Sequence, residues 1–200
     1  MKILIIGGHG TIGKTLVNHF SVDHEVLIAG RTKGDVLVDI ANSSSIQSMF
    51  EKVGTVDAVI CAAGEAKWAS FNELSEEDYY IGFKSKLMGQ VNLVRIGQHF
   101  IKPNGSITLT TGILADDPVI KTASAAMVNG AIHSFVKAVA LEVGGAFRVN
   151  AVSAGLVADA YEKYIGYFPG HYPVTMTKMV KGYERSVLGQ DQGRIIRIYE

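Results

Sequence analysis

The first twenty residues constrain the chain most. Lys2-Ile3-Leu4-Ile5-Ile6 is a short apolar run rich in β-branched residues. It leads at once into Gly7-Gly8-His9-Gly10-Thr11-Ile12-Gly13, then into the amphipathic stretch Lys14-Thr15-Leu16-Val17-Asn18-His19-Phe20. This order predicts a strand, a glycine turn and a helix. The turn has the form G-x-x-G-x-x-G. Gly7 permits a tight turn off the strand, Gly10 lets backbone approach a pyrophosphate, and Gly13 lets the helix pack closely. The amides that open the helix then face an anion. An ordinary glycine-rich turn would not need both flanking elements, so the pattern points to dinucleotide binding through Gly7, His9, Gly10, Thr11, Ile12 and Gly13.

The second apolar run, Glu25-Val26-Leu27-Ile28-Ala29, sharpens this. An acidic residue at its end would bind the ribose 2′-hydroxyl of NAD; an Arg there suits the 2′-phosphate of NADP. Here the run ends in Gly30, which is expected to leave space, and then Arg31, Thr32 and Lys33. The planar guanidinium of Arg31 fits a phosphate. The expected cofactor is NADP in preference to NAD.

Strand and helix signals then alternate. Strands are expected at 35–38, 56–61, 106–110, 147–152 and 194–199. Helices are expected at 44–53, capped by Ser43 or Ser44, at 75–100 and at 123–143, with a turn at Pro103-Asn104-Gly105. Only the stretch from Ala158 to about Lys181 gives no clear pattern. Alternation of this kind predicts one doubly wound, Rossmann-like α/β domain over residues 1–200, with a largely parallel sheet of about seven strands and helices on both faces.

Composition excludes several alternatives. The charge balances, with 19 basic and 19 acidic residues, so nothing favours nucleic acid or a membrane surface. Cys61 is the only cysteine, which rules out an internal disulfide and a cysteine metal site. The six histidines form no ligand-spaced pair. No run is expected to be long enough to span a bilayer and no signal peptide is read at the start, so the cytoplasm is the expected compartment.

Taken in order, these landmarks resemble the short-chain dehydrogenase/reductases over nearly the whole chain. Gly7-x-x-Gly10-x-x-Gly13 is similar to the family's pyrophosphate turn. Asp39-Ile40 stands where the family contacts adenine. Cys61-Ala62-Ala63-Gly64 stands in place of Asn-Asn-Ala-Gly. Gly105-Ser106-Ile107 opens the strand that carries the catalytic serine, and Leu141-Glu142 closes the helix that carries the catalytic Tyr and Lys. The segment 148–155, ending Ser153-Ala154-Gly155, matches the one that meets the nicotinamide. The piece between Arg31 and Asp39 is too short for the family's usual helix. The resemblance implies cofactor contacts at Asp39, Ile40, Ala62, Ala63, Gly64, Ala154 and Gly155.

The same resemblance exposes what has changed. The family's Tyr and Lys positions fall on Ala125 and Asn129, its Ser position on Gly112 beside Thr111, and its Asn position on Lys86. Alanine donates no proton; Asn129 can hydrogen-bond a ribose but carries no charge to tune a neighbour. No catalytic residue is therefore assigned. Thr111 is a weak candidate for the substrate oxygen, or simply a β-branched strand end. Lys86 is expected to be a solvated helix lysine unless it turns into the cleft. His133 shares a face with Ala125 and is expected in the core or an interface. Tyr161, Tyr164 and Tyr167 are expected to cover an apolar pocket, with a hydroxyl contribution as the alternative.

Three functions remain open from the residues. One is an NADP-dependent oxidoreductase of an unknown small carbonyl compound. The others are an inactive NADP(H) sensor and a structural relative that binds a partner. Relatives pair through the two long helices, and Ala123, Ala125, Ala126, Gly130, Ala131 and Ala138 would permit close approach, so a homodimer or homotetramer is expected.

Overall fold

The computed structural model describes all 200 residues. Seven strands form one sheet, β1 (Lys2–Ile6), β2 (Glu25–Gly30), β3 (Val36–Leu37), β4 (Val56–Cys61), β5 (Ile101–Gly112), β6 (Arg148–Ala154) and β7 (Ile195–Ile198). Their order is β3-β2-β1-β4-β5-β6-β7 and every pairing is parallel. The strand order reverses between β1 and β4, which opens a crevice at the C-terminal strand ends.

Alternate side chains of each central strand feed opposite cores. Leu4, Ile6, Val59, Cys61, Ile107 and Leu109 pack beneath α2 (Ser43–Val53), α4 (Met88–Gly97) and α5 (Ala123–Glu142). Ile3, Ile5, Ala58, Ile60 and Val152 pack beneath α1 (Thr11–Phe20) and α7 (Met176–Leu188). Strands buried on both faces read as continuous apolar runs, as β1 and β4 do.

Several expected boundaries shift for local reasons. The helix expected over 75–100 is α3 (Glu76–Gly82) running through a π-turn (Phe83–Leu87) into α4. The turn expected at 103–105 is absorbed into β5, where Asn104 takes φ 65° and the register against β4 slips between Val56 and Ala58. Asn42, not Ser43 or Ser44, caps α2, accepting the amides of Ser44 (2.9 Å) and Ser45 (3.3 Å). Between β2 and β3 there is no helix; Asp35 ties that short connection back to the Ile28 amide at 2.8 Å. The stretch without a pattern holds a short helix, α6 (Tyr161–Tyr164), two 3₁₀ turns and the start of α7.

One sequence expectation was too strong. α5 has 20 residues, an 18-residue stretch of which has a mean hydropathy of 1.2, long and apolar enough to cross a bilayer by length and composition. It is instead the central helix of one face, with Val128, Ile132 and Val136 fully buried.

Candidate nucleotide and reaction cleft

The glycine turn is held by contact rather than by preference alone. Gly7 sits at φ +83°, and a Cβ on Gly13 would stand 2.1 Å from the Gly7 carbonyl oxygen. Gly13 thus lets α1 start directly against the turn. Gly10 ends the turn with no side-chain cap, and the first helical bond is Lys14 N to Gly10 O at 2.9 Å. The amides of Thr11, Ile12 and Gly13 are left to point out of the helix start, the arrangement that receives an anion.

From this turn the crevice extends both ways. Toward the β2 end lies a cavity of about 380 Å³ lined by Gly7, Gly10, Gly30, Arg31, Asp39 and Ile40. Asp39 uses one carboxylate oxygen to hold the Ala41 amide at 3.0 Å, leaving the other for a ligand. Arg31 is exposed and reaches across to Glu65 at 3.0 Å. Gly30 does not supply the free space expected of it: a Cβ there would lie 2.4 Å from the Lys33 carbonyl oxygen, so the tight β2–β3 turn demands glycine. His9, Thr11 and Thr32 are exposed beside this cavity's elements without lining it, and Gly13 is buried beneath the turn.

Toward the β6 end lies a cavity of about 350 Å³, lined by Ile12, Ala62, Ala63, Gly64, Ala154 and Gly155 among others. The three segments expected to meet a dinucleotide therefore do converge on one edge of the sheet.

A third cavity, about 800 Å³, opens beside it. Lys86, Thr111, Gly112, Ala125 and Asn129 all line it. The four positions that the resemblance equates with the family's catalytic residues, Lys86, Gly112, Ala125 and Asn129, are thus brought together on one cavity. Asn129 donates to the Ala125 carbonyl at 2.8 Å, while its Oδ1 is buried with no partner. Thr111 faces the cavity and shares its hydroxyl with His133 Nε2 at 2.8 Å. His133 is buried as expected, but it is tied to the cleft edge rather than packed inertly. Burial lowers its pKa below the usual imidazole value.

Lys86 overturns its expectation. It is half-buried, and its ammonium donates to the Thr110 carbonyl at 3.2 Å. The segment after β4 covers it: a Cβ on Gly64 would touch the Lys86 stem at 3.0–3.1 Å. Desolvation lowers its pKa, and no carboxylate offsets this; the only favourable charge is the Cys61 thiolate form. Cys61 itself is buried, and burial raises its pKa to about 11, so the thiol is neutral at physiological pH.

Thr110 anchors this corner. Gln90 donates to its carbonyl at 3.0 Å and accepts its amide at 3.1 Å, and its hydroxyl pairs with Tyr183 at 2.7 Å. The outer wall is aromatic. Trp68 lies 5.3 Å from Tyr164 and 5.8 Å from Tyr167, centre to centre, and all three line the large cavity. Tyr161 packs instead on a small cluster with Leu156 and Phe168. Trp68, Thr110 and Gln90 were not singled out from sequence. Trp68 offered a signal, being the only tryptophan and lying just after the Ala-Ala-Gly turn.

Comparison with known proteins follows the geometry. A family model described as enoyl-(acyl carrier protein) reductase matches residues 18–181. A short-chain dehydrogenase/reductase, ATR9, of Stachybotrys chlorohalonatus is 26% identical over 184 residues, spanning 77% of this chain and 72% of that protein. The crystal structure of the protein lin1944 from Listeria innocua is 42% identical, with full coverage of both chains and a TM-score of 0.97. A small-chain dehydrogenase solved in complex with NADPH is 26% identical over 99% of this chain and 96% of that one, with a TM-score of 0.88. The family model covers most of the chain and the whole fold superposes on these structures, and the chain belongs to the short-chain dehydrogenase/reductase family.

Proposed function

We propose that the protein is an NADP(H)-binding oxidoreductase acting on a small carbonyl compound without the family's Tyr-Lys pair. The single observation that carries this reading is the continuous crevice from Arg31 and Asp39, past the glycine turn, to Ala154 and Gly155. Its residues fit the cofactor. Arg31 would take the 2′-phosphate, Asp39 and Ile40 the adenine, and Gly7, Gly10 and the α1 amides the pyrophosphate. The unpartnered Oδ1 of Asn129 would accept a ribose hydroxyl. When bound, the reduced cofactor supplies the hydride. The chain's own part is to bind, to orient through Gly64, Ala154 and Gly155, and to keep water out with Trp68 and Tyr164. The NADPH complex of a relative supports the cofactor class.

The test is a fluorescence titration with NADPH and NADH. NADPH is expected to bind tighter, and Arg31→Asp to invert the order; equal binding, or none, would remove the assignment. NADPH consumption against a panel of aldehydes and ketones is expected to be weak. One acid–base side chain is typically worth about 10²–10⁴-fold, and Ala125 supplies none.

A second reading, an NADP(H) sensor, is favoured by one observation: all four catalytic positions have changed together. Binding without turnover, accompanied by a change in protease sensitivity across residues 158–175, would select it. In either case the proposed working form is a pair of chains joined through α4 and α5, in the cytoplasm, where the lone Cys61 thiol stays reduced.

A further inference from the structure

Lys86 is a cation placed where the fold gives it nothing to neutralise. Its ammonium has three donors, and one carbonyl, Thr110 O at 3.2 Å, is its only protein acceptor. That carbonyl is already held by Gln90 at 3.0 Å. The acidic residue on the same cavity, Glu65, pairs with Arg31 over the adenosine end, and its backbone amide is held by Ser85 Oγ at 3.1 Å. An ammonium withdrawn from water without a counter-charge is costly unless something else supplies one.

The space around Lys86 specifies the rest. Gly112 and Ala125, where the resemblance places Ser and Tyr, line the 800 Å³ cavity with nothing beyond Cβ. Trp68, Tyr164 and Tyr167 line the same cavity, with the Lys163 ammonium over the Tyr164 ring at 4.9 Å from its centre. A cavity that combines small residues with aromatic rings has room and partners for a planar ring, since offset and edge contacts between rings add to simple burial.

We propose that this cavity binds a planar aromatic anion, its ring against Trp68 and Tyr164 and its negative oxygen on Lys86. This deepens the oxidoreductase reading and rests on it for one point, that the cavity is where the reacting molecule stands. Lys86 would then act as the charge anchor that sets which end of the molecule faces Ala154 and Gly155. The carboxylate of an aromatic acid and the phenolate of an acidic phenol both present that chemistry.

Calorimetry with three probes tests this: benzoate, its neutral isostere benzamide, and acetate, which has the charge without the ring. Benzoate is expected to bind roughly tenfold or more tighter than benzamide, as a charge-assisted hydrogen bond allows. Acetate is expected to bind weaker than benzoate by about the same factor, for want of the ring. Lys86→Gln should abolish the benzoate–benzamide difference, and Lys86→Arg should retain much of it. Trp68→Leu should weaken both aromatic probes and leave their ratio intact. Equal binding of benzoate and benzamide by the wild type, no binding of benzoate, or a difference that survives Lys86→Gln overturns the proposal. NADPH affinity measured on the same samples separates the two readings. NADPH binding with no benzoate preference overturns the anion site alone. A benzoate preference that depends on Lys86 without NADPH binding supports the anion site and overturns the cofactor reading.

Discussion

At the scale of single residues, the cleft trades stability for a charge. Lys86 is half-buried, has no acidic partner, and has its pKa lowered by desolvation. Lys86→Met removes the ammonium but keeps most of the stem that packs under Gly64. It is expected to stabilise the ligand-free protein by about 1 kcal/mol, the usual scale for relieving a functional liability. Thermal or urea denaturation checks this, and a lower midpoint would mean that the bond to Thr110 matters more than the buried charge. Gly13→Ala has the opposite sign. Its Cβ would press on backbone at 2.1 Å, so a loss of about 1–3 kcal/mol, together with loss of NADPH binding, is expected. Glu65→Gln frees Arg31 from an exposed ion pair worth roughly 0.2–1 kcal/mol, and NADPH should bind correspondingly tighter. Restoring the family's side chains is sterically open at position 112, where a Cβ would meet nothing closer than Ala154 O at 3.5 Å. Gly112→Ser, Ala125→Tyr and Asn129→Lys together should raise NADPH-dependent ketone reduction, and any one alone should not, because the groups act as a unit.

Between elements, the end of β5 is tied to the end of β7 by charge. Asp116 accepts from Arg197 Nε at 2.8 Å and Nη2 at 3.0 Å and from the Tyr199 hydroxyl, which also pairs with Ser153 at 2.9 Å. The Arg197 hydrogen bonds hold the Asp116 pKa down to about 2 from the ordinary 3.8. A carboxylate depressed in the folded state stabilises the fold above its unfolded pKa and loses that contribution as pH falls through the folded one. The window here runs from 3.8 down to about 2. Asp116→Asn is expected to lower stability at neutral pH and to flatten the acid limb in that window. An acid limb unchanged in shape would mean that the pair is held too loosely to matter. His133 works at a higher pH. Its folded pKa is lowered chiefly by burial, so the unfolded chain takes up the proton first and stability falls as pH drops below 6.5. The nearby Asp116 opposes this shift, while Arg197 and Lys137 reinforce it. The π-turn Phe83–Leu87 belongs to the same scale. It carries Ser85 and Lys86 into the cleft from the middle of a long helix, the kind of position where such turns often serve a site.

For the whole molecule, the outer face of α5 is the surface through which the proposed pairing would run. Ala123, Met127, Ser134, Ala138 and Leu141 are exposed along it, and Gly130 has nothing within 4 Å of where a Cβ would stand; Ala125, expected on this face, is instead buried against Ile113, Leu114, Leu156 and Phe168. Leu141 is 84% exposed. Small residues at helical spacing on an unpartnered face let a second helix approach closely. Sedimentation of the wild type is expected to give a dimer or tetramer, and Ala138→Glu with Leu141→Lys a monomer. A wild-type monomer at micromolar concentration would remove the claim.

The fold class and the glycine turn were legible in the residues alone, because both rest largely on local rules. Apolar runs with β-branched residues, separated by amphipathic stretches, leave a parallel sheet as the solution; Gly13 is required by the Gly7 backbone a few residues away and Gly7 by its own φ of +83°, while the Ala62 carbonyl that also crowds Gly7 is brought there by the sheet. The convergence of Lys86, Thr111, Gly112, Ala125 and Asn129 on one cavity was legible once the landmarks gave their spacing. What those side chains do there was decided by the tertiary structure. Lys86 reads as solvated from its own helix, and the covering of its stem by the segment around Gly64 takes it partly out of water. His133 lies two turns from Ala125 on α5, yet β5 brings the Thr111 hydroxyl to its ring. Gly30 reads as room for a phosphate until the Lys33 carbonyl fills that room. Burial, partnership and free volume depend on what the rest of the chain places nearby, and no local pattern encodes that.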